Sequence, residues 1–287
     1  SLLGYVNAPA SMRDLWMLAT GHGDAEYMVY LDERMTYSDA AIRVAAFASW
    51  LQGQGIGPGD RVAIAMRNYP EWMLAHWAIN AIGAVVVGLN AWWVADEMAY
   101  AINDSKPKLL IGDQQRLATF STVSDQFADI ALVSVRTEEC PLTTTPWEVA
   151  VATGGALPEV EIDPDSDACI FYTSGTTGRP KGAQLTHRGC VANVLNVAAM
   201  GGIYASHRAL EAGEVLEAPA SAPAPVALIA TPLFHVTANN CIMQAGTVAG
   251  GRFILMYKWD PVEAMRLIDA EQITTMSAVP MMSREIL

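Results

Sequence analysis

From Trp72 to Ala95 the chain carries no Asp, Glu, Lys or Arg. A run of that length and polarity is what a bilayer-spanning helix needs, so its resolution decides between a membrane protein and a soluble core. His76, Asn80, Gly83, Gly88 and Asn90 interrupt the run, and its period changes midway. Asn68-Tyr-Pro-Glu71 has the form of a helix start, with Pro70 near the first turn, where a missing N–H costs nothing. Ala84-Val-Val-Val87 then reads as a short buried strand. The stretch therefore predicts helix 69–82, a glycine turn and strand 84–88, and no transmembrane segment.

The same rhythm runs along the chain. Thr36-Tyr-Ser-Asp39 forms an approximate capping box ahead of Ala40, Val44, Phe47 and Leu51 at helical spacing, with Gly53, Gly55 and Gly57 at the end. Compact strands are predicted at 61–66, 108–111, 130–135, 169–172, 226–231, 252–256 and 273–278, and 183–186 is a further candidate. Helices are predicted from near Asp96, over about 187–200, after His235 and from Asp260. Residues 137–166 read as a meandering connection, and 211–225, with Ala218-Pro-Ala-Ser-Ala-Pro-Ala-Pro225, as a loop of low complexity. Strands alternating with helices make an α/β fold whose sheets are largely parallel and covered on both faces.

Composition narrows the function classes. The 287 residues, 52% of them hydrophobic, suffice for one large α/β unit or two smaller ones. A net charge of −13 argues against nucleic acid and against an anionic membrane surface. Cys140, Cys169, Cys190 and Cys241 form no C-x-x-C pair and no secretory leader precedes them, which reads as reduced thiols in a cytoplasmic protein. The histidines show no metal-ligand spacing.

The chemistry concentrates in Ile170-Phe-Tyr-Thr-Ser-Gly-Thr-Thr-Gly-Arg-Pro-Lys-Gly182. Apolar and aromatic residues lead into a loop of Gly, Thr and Ser, followed by Arg179, Pro180 and Lys181. Glycines let backbone approach a ligand, successive N–H groups converge on an anion, and hydroxyls and an ammonium add donors. That combination suits a polyphosphate. It is not a Walker A loop, because Pro180 stands where that pattern has Gly and Lys181 is followed by Gly182. The competing structural reading is a Thr/Gly-rich surface turn after a buried strand.

This run closely resembles the signature loop of the acyl-adenylate-forming superfamily, which includes acyl- and aryl-CoA ligases, luciferases and peptide-synthetase adenylation domains. The resemblance covers nearly the whole chain: Thr36-Tyr37, Gly59-Asp-Arg-Val62, Gly83–Asn90, Asn103-Asp-Ser105 and Lys108-Leu-Leu-Ile111 before the loop, then Thr231-Pro-Leu-Phe-His235, Gly251-Arg252 and Val279-Pro280 after it. It implies stacked αβ lobes, one over 59–200 and a second from 1–58 plus 201–287, as an incomplete large N-terminal domain. The adenine and ribose segments and the C-terminal lysine of the family do not occur in these residues. The resemblance therefore implies a fragment of a larger enzyme, itself inactive and prone to self-association as a homo-oligomer.

By that resemblance the whole enzyme converts a carboxylic acid and ATP to acyl-AMP and passes the acyl group to coenzyme A. Thr173, Ser174, Gly175, Thr176, Thr177 and Gly178 would hold the β- and γ-phosphates, Lys181 would neutralise departing pyrophosphate, and Thr176 would help position Mg²⁺. Arg179 either assists or is merely solvated. A lone His beside an aromatic is ordinarily a packed or capping side chain, yet His235 stands in a segment similar to the border of the acid site. Amino-acid activators carry Asp there, so His235 points to a plain carboxylic acid, fatty or bulky aliphatic. The alternatives are an aryl-CoA ligase, a luciferase-like adenylator or, from another class, a non-catalytic binding module.

Overall fold

The computed structural model describes residues 4–152, 154–173, 179–215 and 223–287. In chain order, helix α1 (Met12–Ala19) precedes the strands β1 (Glu26–Tyr30) and β2 (Glu33–Thr36) and helix α2 (Tyr37–Gly53). Then come β3 (Arg61–Ala65), α3 (Pro70–Ala81), β4 (Val85–Gly88), α4 (Ala95–Ser105), β5 (Leu109–Asp113) and α5 (Gln114–Ser121). Strands β6 (Ala131–Val135) and β7 (Thr145–Pro146) and helix α6 (Trp147–Ala152) follow. The next group is β8 (Asp167–Thr173), β9 (Lys181–Thr186), α7 (His187–Glu211) and β10 (Val226–Ile229). A π-helix (Thr237–Gln244) runs into α8 (Ala245–Val248), and β11 (Arg252–Leu255), α9 (Pro261–Ala270), β12 (Thr275–Met276) and α10 (Pro280–Ile286) complete the order.

These strands form two sheets. One runs β7-β6-β5-β3-β4-β8-β9 and the other β12-β10-β11-β1-β2. Every pairing is parallel except β1 with β2 and β8 with β9. The charge-free stretch resolves as the sequence indicates, into α3, a turn at Gly83 and β4. Helix α3 is buried along its whole length and packs against β1 of one sheet and β4 of the other. Its one charged residue, Glu71 in the first turn, is paired with Arg136, and beyond it the enclosed helix carries none. Trp77 stacks on Trp16 at 5.4 Å and donates its Nε1–H to the Tyr27 hydroxyl at 3.0 Å. Each fully buried aromatic of this kind contributes on the order of 2–3 kcal/mol of transfer free energy.

Helix α2 begins on the capping box its sequence announces. The Asp39 amide donates to Thr36 Oγ1 at 3.1 Å, and the Thr36 amide donates to Asp39 Oδ2 at 3.0 Å. Two polar clamps join the sheets. Arg136, just past β6, donates bidentately to Glu33 of β2 at 2.6 and 2.7 Å and to Glu71 of α3 at 3.0 Å. Asn68, just past β3, donates Nδ2–H to the carbonyls of Ile229 and Thr231 at 3.2 and 3.0 Å. Its Oδ1 accepts the Leu233 amide at 2.9 Å.

Several elements depart from their sequence reading. The connection 137–166 contains β7 and α6, with Trp147 buried against Phe47 at 4.4 Å. Helix α7 continues through Gly201 and Gly202 to Glu211, although two interior glycines cost about 1 kcal/mol each. By length and composition alone α7 is apolar enough to cross a membrane, yet Cys190, Val191 and Val194 in its first turns are buried in the protein core. The helix after His235 opens in π rather than α geometry.

Candidate functional site

Strand β8 enters the seven-stranded sheet beside β4, so its carboxyl end lies beside those of β3 and β4. Open α/β sheets bind ligands at that end. Thr173 is the last residue of β8 and Lys181 the first of the edge strand β9, and the two face each other in antiparallel register. Thr173 Oγ1 reaches the Lys181 carbonyl at 3.4 Å, and both residues are solvent-exposed. The predicted loop residues Ser174, Gly175, Thr176, Thr177 and Gly178 lie outside the described residues, and with them the magnesium assignment to Thr176. At the rims, the Tyr172 hydroxyl donates to Asp104 Oδ2 at 2.8 Å, and the Arg179 guanidinium lies 5.3 Å from the centre of the Tyr100 ring. Arg179 is therefore packed on an aromatic face, a role between the two the sequence allowed.

The second predicted segment comes to the same end of the sheet. A Cβ on Gly88, at the end of β4, would stand 2.7 Å from two ring carbons of Phe171 in β8 and 3.3 Å from the Phe234 Cα. Only a residue without a side chain lets the Pro232–His235 loop approach β4 and β8 this closely. Phe234 also meets Trp92 edge-on at 5.1 Å. Arg67, Asn68, Trp92, Pro232, Phe234 and Trp259 are among the residues lining a cleft of about 310 Å³. Most of its walls follow β3, β4, β10 or β11, so it opens where the carboxyl ends of both sheets converge.

His235 is exposed at the head of the π-helix. Its Nδ1 accepts the Thr237 amide at 3.3 Å and lies 3.1 Å from Thr237 Oγ1. The ring thus accepts the first amide of the helix at Nδ1. Behind it the π-helix turns Asn239, Asn240 and Gln244 inward. Gln244 Nε2 donates to Asn239 Oδ1 at 2.9 Å and sits 3.5 Å from His76 Nε2. Burial, with a contribution from neighbouring His187, lowers His76 to a pKa of about 3, and burial lowers His187 to about 4. Both rings are neutral structural groups at physiological pH.

Of the residues that the sequence singles out, Thr173 and Lys181 face each other across β8 and β9 and His235 stands at the head of the π-helix; Asn68, which bonds the His235 loop, and the Tyr172–Asp104 pair carry no role in the sequence reading. Asp104 stands in the Asn103-Asp-Ser105 segment, which carried resemblance and no assigned chemistry. Tyr172 lay inside the strand reading, where an aromatic is usually core.

Comparison with known proteins agrees with this geometry. The profile of the family described as AMP-binding enzyme matches residues 15–287. A feruloyl-CoA synthase from Amycolatopsis sp is 30% identical over 252 residues, 88% of this chain and 45% of that protein. A long-chain-fatty-acid–CoA ligase from Thermus thermophilus is 29% identical over 249 residues, 86% of this chain and 42% of that protein. The chain thus spans somewhat under half the length of these relatives. Among solved structures, the N-terminal domain of FACL13 from Mycobacterium tuberculosis superposes with a TM-score of 0.73 at 23% identity, covering 96% of this chain and 64% of that one. ATP-bound MatB from Rhodopseudomonas palustris gives 0.74 at 22%, covering 94% and 50%. At these identities the solved structures establish the fold.

Proposed function

The chain belongs to the AMP-binding enzyme family, and from that premise we propose that the full-length protein is an AMP-forming acid–CoA ligase. A carboxylate oxygen attacks the α-phosphorus of ATP, the bond to the β-phosphate breaks, and pyrophosphate leaves with acyl-AMP formed. The thiol of coenzyme A then attacks the acyl carbonyl and AMP departs. The first step joins two anions, so positioning and charge compensation must supply most of the acceleration. Lys181 carries the compensating charge toward the pyrophosphate, and Thr173 presents a hydroxyl beside it. The carrying observation is the register of these two residues across β8 and β9, which pairs a lysine with a threonine at the carboxyl end of β8. The family pattern extends the same cradle to Ser174, Gly175, Thr176, Thr177 and Gly178, where Thr176 would help hold Mg²⁺ and the metal would add charge compensation.

The acid is fatty or otherwise bulky, and lacks an α-ammonium. His235, an imidazole at a helix start, offers no carboxylate to pair with an amino group, and the relatives named above act, by their names, on a fatty acid and on an aryl acid. The aryl alternative rests on the feruloyl-CoA synthases at 30% identity. Acid-dependent pyrophosphate release by the full-length protein across aliphatic, hydroxycinnamic and amino acids decides the matter. Aliphatic or bulky aromatic acids should lead every amino acid; activation of an amino acid with no turnover of simple acids would overturn the reading.

A further inference from the structure

Both rims of the nucleotide loop are fastened to one face of one helix. Tyr172 closes the approach on β8 and donates its hydroxyl proton to Asp104 Oδ2 at 2.8 Å, with the Ala101 carbonyl at 3.1 Å. Arg179 opens the exit toward β9 and lies over the Tyr100 ring at 5.3 Å. Tyr100 and Asp104 are four residues apart in α4, hence neighbours on a single face of that helix. Trp93, just ahead of α4, sets its ring edge-on against Tyr172 at 5.5 Å. Asp104 is exposed, and among the described residues its side chain takes one hydrogen bond, from Tyr172. Burial and the adjacent carboxylate push the Tyr172 hydroxyl above its ordinary pKa, so it stays a donor at any working pH.

We propose that α4 is the positioning platform of the triphosphate site: Tyr100 and Asp104 hold Arg179 and Tyr172, and so fix where Thr173 and Lys181 present their donors. The inference rests on the ligase reading above and adds two positioning residues to it. Tyr172 is adjacent to Thr173, and Arg179 is two residues before Lys181 in sequence. A shift at either rim moves a donor relative to the phosphates, and misplacement by about 1 Å can cost as much as 10²-fold.

The test uses the full-length enzyme and reads ATP and acid separately. Tyr172→Phe and Asp104→Ala should each weaken ATP, both KM and Kd by equilibrium dialysis, on the order of tenfold, with the acid KM and the unfolding midpoint unchanged. The double variant should be no worse than Tyr172→Phe alone, because that single change already removes the Tyr172–Asp104 bond. Asp104→Asn keeps an acceptor and should return ATP affinity to near wild type. Unchanged ATP constants in Tyr172→Phe, or additive losses in the double variant, would overturn the platform. Lys181→Ala in the same assay separates the two levels. An impaired Lys181→Ala beside unimpaired Tyr172→Phe and Asp104→Ala removes the platform alone, whereas a wild-type Lys181→Ala removes the ligase reading beneath it.

Discussion

The side-chain oxygen of Asn68 accepts the backbone N–H of Leu233 at 2.9 Å, across a separation of 165 residues. Asn68 follows the seven-stranded sheet's β3, and Leu233 follows β10 of the other sheet. With its two donations to Ile229 and Thr231, this one buried amide serves three backbone groups of the loop that carries His235. Replacement by Ala removes the Asn68 partner of the Thr231 carbonyl and the Leu233 N–H, each at a cost of about 1–3 kcal/mol where nothing replaces it, while the Ile229 carbonyl keeps the Met256 amide at 3.1 Å. Asn68→Ala should therefore lower the denaturant midpoint clearly, and Asn68→Asp at pH 7 should be no better, because a carboxylate cannot donate to two carbonyls. A midpoint equal to wild type in both would show that the clamp is incidental.

Gly88→Ala tests the close approach of the His235 loop to the phosphate-loop strand. The added methyl meets the Phe171 ring at 2.7 Å and the Phe234 Cα at 3.3 Å. The ring can tilt, the backbone cannot, so overpacking of about 1–3 kcal/mol is expected. Chemical denaturation reads the loss. Acid affinity should fall with it if Phe234 and His235 shift together, and a fully stable variant would mean the two strand ends are not held as close as the structure places them.

Buried His76 and His187 give stability a pH dependence of defined sign. Their folded pKa values, about 3 and about 4, lie below the ordinary value near 6.5. The unfolded chain therefore binds protons first. Their contribution is complete above about pH 6.5 and is lost as pH falls toward 4 and then 3, with a slope approaching about 1.4 kcal/mol per pH unit for each ring. Urea titrations between pH 7 and 5 lie above the ordinary carboxylate range and report mainly histidines. His76→Gln should flatten the slope in that window. An unchanged slope would contradict the assignment.

What was legible in the sequence follows from the range of the interaction that decides each feature. Helix α2 starts where Thr36 and Asp39 say it must, because a capping box is settled within four residues. Helix α3 and β4 were legible because complete burial leaves a charge-free trace. Lys181 and Thr173 stand out because both belong to one contiguous run, Ile170–Gly182, whose composition suits a polyphosphate. The roles of Asn68, Tyr172 and Asp104 were not, since each depends on a partner brought in from at least 68 residues away. The π-geometry after His235 spans only eight residues, Thr237–Gln244, too few turns for a change of period to be read from the sequence. Helix α7 outruns its glycines because tertiary context overrides local propensity.

The most direct measurement is acid-dependent pyrophosphate release by full-length Lys181→Ala. The side chain stands exposed at the edge of the sheet, so the unfolding midpoint should hold. Losing one preorganised charge at the departing pyrophosphate should slow release by roughly 10²–10³-fold. Release at a near-wild-type rate, from a variant as stable as the parent, would contradict the assignment of this strand pair to the triphosphate.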